Sequence, residues 1–500
     1  MKKTIQIVLF SLLLIGGLLL RTIGLTRVPA GFFCDEAAIG YNAYTLLHTG
    51  ADEYGKPFPL FFQSFGDYKD PVQIYTTIPY VALLGLSEVS TRLPSVVWGM
   101  LLLIVLYFLG KQIHSPVAGW GSAIAGATMP WLIHYNRIGF ELNAYVFFFS
   151  LTVLFFLKAV QRKSWLIPAW IAAGITAYTY QPAKLLVPLL LVGIIIIYWK
   201  KLRGAKSFFI IGVLVFFALI LPLLASFFTP EATARFVMVS VFSAKLSLSQ
   251  TLFKIASNYF FQLSPQFFLV GEPTFITRHF TNGLLPLLPI TIPLLCLGLL
   301  EVLFTCTKKE SQLLLWWLLL YPIGGAVVAE APFTNRAVIG APFFALLIGI
   351  GLALVFKHSR HLHSKILIGF IMSVLFALNL TIFCQFYFKV YPLISSDFWG
   401  WQFGAKDIVG YFATHEANYD DEVMQGEFNE PEIFLKFYAP TQCKKCQIGD
   451  PESLYNPKRK QLFALTPEYI GKHSEFHYSI VKNILYPNAT TAFYLVTVKK

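Results

Sequence analysis

Near the start of the chain, the stretch GFFCDEAAIGYNAYTLLHTGADEYGKPFPLFFQSFGDYKDPVQIY concentrates acidic residues as no other stretch beside an apolar run does. Asp35 and Glu36 follow closely on the apolar run 4–24, which places them near a bilayer surface. Ionisable groups at that depth are costly and commonly functional. A desolvated carboxylate also gains the basicity that a general base needs. The structural alternative is that Asp35 caps the helix AAIGYNAYTLL, with Glu36 in its first turn. Lys69 and Asp70 stand just before Pro71, where the lysine could meet a lipid-linked phosphate as a point charge or act as an interfacial anchor. Arg92 opens the second apolar run. Arg137 and Glu141, in HYNRIGFEL, fit either a site or a structural ion pair. Arg278 and His279 in RHF, and Arg336 in EAPFTNR, precede later runs; each is an interfacial anchor or one of several cations converging with Lys69 on a lipid phosphate.

What must position these residues follows from composition. A chain of 500 residues that is 56% hydrophobic and 13% charged lacks the charge for a water-facing surface. Runs long enough for membrane spans, about 17 to 25 residues, are 4–24, 93–110, 117–134, 140–157, 165–180, 183–199, 207–228, 283–304, 312–329, 337–356 and 366–388, eleven in all. Lys2 and Lys3 before the first run would suit a secretory signal, but no small-residue cleavage pattern precedes Arg21 and Arg27, so a retained span is expected. The net charge of +13 sits between the runs. With the N-terminus inside, Lys111, Lys158, Arg162, Lys163, Lys200, Lys201, Arg203, Lys206, Lys308, Lys309, Lys357, Arg360 and Lys365 all face the cytoplasm, as the positive-inside rule asks. Counting 72–88 as a twelfth span would invert every cluster, so that segment is expected to lie along the outer membrane surface.

The expected protein is therefore an all-α polytopic bundle in the cell membrane over 1–389, with outer loops 25–92 and 229–282. An extracytoplasmic domain over 390–500 follows. In this tail charge returns and strand-like stretches such as 433–438 and 492–498 alternate with turns, which fits a small α/β domain. Its Cys443 and Cys446 have C-x-x-C spacing, that of half a zinc site or a redox pair; no second pair follows and no thioredoxin-like context surrounds them, so a local disulfide or two free thiols is expected.

No phosphate loop, dinucleotide fingerprint or H-E-x-x-H helix is present, so nucleotide-driven transport and zinc hydrolysis lose their usual support. Basic residues do not interleave with aromatics on a soluble surface, which argues against nucleic acid. The order of elements is a DE pair in a long first outer loop, a K-x-P element before a surface helix, E-x-x-x-R-L-P-S opening the second run, and R-x-x-x-E after the third. This order resembles the protein O-mannosyltransferases of glycosyltransferase family 39, and is similar to the lipid A aminoarabinose transferase branch. The resemblance covers about 1–390 and is strongest in 21–185.

That resemblance implies a type C glycosyltransferase fold with an outer-face site, a polyprenyl-phosphate sugar as donor, and neither metal nor cofactor. The sugar, mannose-like or related, would pass with inversion to a protein, lipid or envelope glycan. It further implies that Asp35 deprotonates or orients the acceptor hydroxyl with help from Glu36. Lys69, Asp70, Arg137, Glu141, Arg278, His279 and Arg336 would supply phosphate binding and site electrostatics. Two departures stand out. Lys69-Asp70-Pro71 replaces the K-P-P of many relatives, and the W-W-D-Y-G motif of oligosaccharyltransferases is absent, with FWGWQFG at 398–404 no substitute. A flippase of lipid-linked sugars would use similar basic pockets, but would carry ionisable residues at mid-membrane in repeated halves. An envelope scaffold would be indifferent to replacement of Asp35.

Overall fold

The computed structural model describes residues 2–271, 276–279, 283–329, 334–358 and 361–499. Arg360 of the basic set, parts of the 229–282 loop and the opening EAPF of EAPFTNR lie outside them. Helix α1 is Lys2–Thr22, followed by α2 at Cys34–Thr49. The hairpin β1 (Phe62–Ser64) and β2 (Asp67–Lys69) then turns through Phe65 and Gly66, whose φ angles of 53° and 79° are the left-handed pair that a two-residue hairpin turn requires. Pro71, with its fixed φ, starts α3 at Pro71–Leu84, the segment expected along the surface. Ser87 caps α4, Glu88–Ile113, by accepting the Ser90 N–H.

The expected span 117–134 is broken: α5 (Pro116–Thr128) stops where Pro130 opens the short α6 (Pro130–Asn136). A proline has no N–H to continue the preceding ladder. Next come α7 (Leu142–Gln161), α8 (Leu166–Thr176), α9 (Ala183–Leu202), α10 (Lys206–Ser226) and α11 (Pro230–Val239). Later helices include Gly340–His358 and Leu362–Gln385.

Each of the eleven expected segments contains helix, yet length and apolarity give a smaller count. Among the described residues six stretches are long and apolar enough to cross a membrane, or seven if the pair Pro289–Phe304 and Lys309–Ala326, bent by 120°, is one span. The difference lies in the break at Pro130, in the short α8, and in α9 and α10, which run together as Ala183–Ser226. The protein is a multi-pass membrane protein.

The C-terminal segment carries a five-stranded mixed sheet in the order β4-β3-β5-β7-β6, from β3 (Asp421–Met424), β4 (Cys446–Ile448), β5 (Gln461–Leu465), β6 (His477–Leu485) and β7 (Thr491–Lys499). The stretch 492–498 is strand as expected. The stretch 433–438 is instead a helix, Glu432–Tyr438, because Ile433, Phe434 and Phe437 form one buried helical stripe. This helix docks on α2. Phe437 sits so close to Gly40 that a Cβ there would lie 2.6 Å from its ring, and Phe437 stacks on Phe32 at 4.8 Å between centroids. Lys436 pairs with Glu53 at 2.9 Å, and the Tyr438 hydroxyl donates to Glu88 at 2.8 Å. The sheet-bearing segment is thus fastened to the helix that carries Asp35 and Glu36 in its first turn.

Candidate active site

Asp35 does not cap α2. The N-cap is Phe33, and Asp35 and Glu36 occupy the second and third helical positions with opposite fates. Glu36 is fully buried, pairing with Arg92 through Nε and Nη2 at 2.9 Å each and accepting the Gly139 N–H at 2.8 Å. Arg92 spends its remaining donors on the Leu25 and Gly31 carbonyls, both at 2.7 Å. This ion pair therefore pins three segments around α2, and the Glu36 carboxylate does not face open space.

Asp35, with its side chain 35% exposed, does face open space. It accepts from Lys69 Nζ at 2.5 Å. The alternation of β2 puts Asp67 and Lys69 on one face, and both line a polar cavity of about 90 Å³ with Asp35, Glu141, Arg235 and Arg336. Arg235, from α11, pairs with Asp67 at 2.8 Å. Glu141, just before the α7 span, accepts the Asp70 N–H at 2.6 Å. Asp70 itself is buried against Lys184 at 3.1 Å, and Gln181 donates to the Tyr68 carbonyl at 3.2 Å, so α9 and the residues before it hold the hairpin from behind.

The electrostatics run against one expectation. Burial raises the Asp35 carboxyl, but Lys69, with Arg235 and Arg278, outweighs it and holds the group below its ordinary range. Burial works against the Lys69 ammonium, yet Asp35, Glu141 and Asp67 more than compensate, so it stays charged. The carboxylate with raised basicity is Glu141, where burial dominates over Lys69. Burial likewise raises Asp70 against the pull of Lys184.

Other expected site residues are placed elsewhere. Arg137 and Glu141 form no ion pair. Arg137 is buried and donates to the carbonyls of Leu20, Ile23, Gly24 and Val28, so it staples the end of α1 and the turn after it. Arg278 stacks over Phe33 at 3.8 Å and donates to the Gly400 carbonyl at 2.9 Å. His279 lies buried against the Tyr135 hydroxyl at 3.1 Å, and burial holds it neutral. FWGWQFG has a structural place: Trp401 is fully buried and donates to the Tyr391 hydroxyl at 2.9 Å.

The polar cavity shares Gln181, Arg235 and Arg336 with an apolar groove of about 580 Å³ lined by Leu185, Phe227, Phe236, Phe242 and Val328 among others. Acids thus face one end and two arginines stand where polar space meets apolar space.

Along its sequence, residues 69–225 match the family model described as dolichyl-phosphate-mannose-protein mannosyltransferase. No curated protein matches the chain. Among solved structures, ArnT from Cupriavidus metallidurans in the apo state aligns over 100% of this chain and 98% of its own, with TM-score 0.59 and 14% identity. The chain has the type C glycosyltransferase fold. The same ArnT bound to undecaprenyl phosphate aligns over 99% and 98% of the two chains, with TM-score 0.56 and 14% identity. The oligosaccharyltransferase AglB from Archaeoglobus fulgidus, in complex with an inhibitory peptide and a dolichol-phosphate, aligns over 88% of this chain and 64% of its own, with TM-score 0.56 and 11% identity.

Within this type C fold, the family match begins at Lys69 and ends before Arg235, so the cavity draws Asp35, Asp67, Arg235 and Arg336 from beyond it. Sequence reasoning passed over Asp67, Lys184 and Arg235. The alternation in Asp67-Tyr68-Lys69 was a readable signal for the first. Arg235 and Lys184 had none, since each meets the hairpin from more than a hundred residues away.

Proposed function

We propose that the protein is a membrane glycosyltransferase that takes a sugar, mannose-like or related, from a polyprenyl-phosphate donor and passes it to an acceptor hydroxyl on a protein, lipid or envelope glycan. Transfer takes place on the extracytoplasmic face with inversion. The observation that carries this reading is the junction at Arg235 and Arg336: a polar cavity containing an accessible carboxylate and an apolar groove share these two arginines as lining. Such a junction suits a molecule with a phosphate between a sugar and an isoprenoid tail. The tail would lie in the groove and the phosphate beside the two arginines, with the anomeric carbon toward Asp35.

In this reading Asp35 receives the acceptor proton as the hydroxyl oxygen bonds to the anomeric carbon. The bond from that carbon to the phosphate oxygen breaks, and Arg235, Arg336 and Lys69 stabilise the charge gathering on the departing phosphate. An arriving phosphate competes with Asp35 for Lys69, which frees the carboxylate when it is needed. Glu36 and Arg92 hold the helix that aims it, and Glu141 and Asp70 fix the Lys69 strand. The segment over 390–500 is an outer domain beside the acceptor approach.

Orientation follows the positive-inside rule, with the N-terminus cytoplasmic. α4, α7 and α9 start near Arg92, Glu141 and Lys184, on the side of Asp35, and carry Lys111, Lys158, and Lys200 with Lys201 in their last turns. Lys163 donates to the Lys201 carbonyl at 2.6 Å, and Lys308 and Lys357 both lie within electrostatic reach of His114.

Two outcomes are expected. Replacing Arg235 by glutamine raises the KM for the donor roughly tenfold or more, the worth of one charge-assisted hydrogen bond to phosphate; steady-state kinetics with a labelled polyprenyl-phosphate sugar measures it, and an unchanged KM counts against the phosphate position. Replacing Lys69 by methionine removes the largest force holding Asp35 down. The acid limb of kcat/KM, which reports the free enzyme, then moves to higher pH. A limb that stays in place would mean that another group titrates.

A further inference from the structure

The edge of the C-terminal sheet carries chemistry that glycosyl transfer leaves unused. β4 runs parallel to β3, and its register sets Cys446 opposite Glu422. Cys443, at a left-handed φ of 59°, turns the chain back so that it forms a disulfide with Cys446. Glu422 Oε2 then lies 3.5 Å from Cys443 Sγ and 3.9 Å from Cys446 Sγ. Glu422 is fully buried, and its Oε1 has no hydrogen-bond partner.

Packing does not account for this arrangement. A disulfide between residues so close in sequence removes little freedom from the unfolded chain. A buried carboxyl with an unsatisfied oxygen is itself unfavourable. Burial, together with Glu416, lifts Glu422 to about 7 against the opposing pull of Lys445. Tyr419 also lies within electrostatic reach of Glu422, and Lys445 is tethered to the Glu416 and Tyr419 carbonyls at 2.9 and 2.8 Å. Below about pH 7 the carboxyl therefore holds a proton beside two sulfurs. Access is unequal: Cys443 is buried, Cys446 is half-buried, and Gln442, Lys444 and Lys445 around them are exposed.

We propose that Cys443, Cys446 and Glu422 form a thiol-disulfide exchange centre whose co-reactant is a dithiol, with Glu422 as proton donor to the Cys443 sulfur. A thiolate of the co-reactant attacks the accessible Cys446 sulfur, the Cys443–Cys446 bond breaks, and its electron pair goes to Cys443, which takes the Glu422 proton. The second thiolate of the co-reactant then attacks the mixed disulfide and releases Cys446 as a thiolate, which takes a proton from water. The co-reactant leaves as a disulfide, oxidised by the two electrons the protein has gained.

The test follows opening of the pair in full-length detergent-solubilised protein under millimolar dithiothreitol, by alkylation and peptide mass spectrometry, across about pH 6 to 9. The wild type should open while its circular dichroism is unchanged, and its rate per dithiothreitol thiolate should fall as pH rises past about 7. Glu422→Gln should open about tenfold more slowly at the acid end, the loss of a general acid, and match the wild type at the alkaline end. A pair that stays closed until the protein unfolds, or a wild-type rate per thiolate that is flat in pH, would overturn the proposal. So would equal rates for the two proteins throughout, and the wild-type profile decides the matter even if Glu422→Gln fails to fold.

Discussion

Replacing Asp35 by asparagine is expected to lower kcat by about 10²–10⁴-fold, the usual contribution of a general base, while donor binding and thermal stability stay close to wild type. Asparagine keeps the shape of the side chain and an oxygen for Lys69 but cannot accept the acceptor's proton. The stability cost is small because Asp35 is partly exposed, which screens the pair, and because Glu141 and Asp67 still face the buried Lys69 ammonium. The two effects separate cleanly in single-turnover kinetics beside a thermal melt in the same detergent. Were the base elsewhere in the cavity, at Glu141 for example, Asp35→Asn would retain most of kcat and Glu141→Gln would lose it.

The neighbouring acid should behave in the opposite way. Replacing Arg92 by methionine leaves the Glu36 carboxylate buried without its partner, a situation that costs about 3–5 kcal/mol in other proteins. Arg92 also holds the Leu25 and Gly31 carbonyls, so its loss loosens the turn leading into α2. A large drop in melting temperature is expected, with activity lost as a consequence of disorder. Pairing Arg92→Met with Glu36→Gln removes the stranded charge and should recover part of the stability. No recovery would mean that the carbonyl contacts, rather than the ion pair, dominate.

The contrast between Asp35 and Glu36 shows what one sequence can and cannot reveal. The DE pair was legible as a place where chemistry could occur, because acids beside an apolar run are rare. Which of the two faces the cavity was not legible, since both lie in the first turn of the same helix and only Arg92 and Gly139, far along the chain, decide it. The helix after Pro71, the apolar segments and the final strand were all readable from apolar patterning and proline placement. The break at Pro130 was readable in principle, but the apolar run across it masked the proline. The charge of Arg137 alone fits a site or an ion pair, and its actual partners, four backbone carbonyls at the end of α1 and in the turn after it, are not visible in the sequence. Arg235 could not be assigned at all, because α11 meets the hairpin only through the folding of the bundle.

The most direct measurement is release of polyprenyl phosphate from a panel of radiolabelled polyprenyl-phosphate monosaccharides, mannose included. The purified protein and its Asp35→Asn variant would be compared with an envelope extract as acceptor. Consumption of one donor by the wild type, with label appearing in the extract and with little or none by the variant, is the predicted result. If neither protein consumed any donor while the wild type moved labelled lipid across liposomes, the cavity would serve transport, and the transferase reading would be wrong.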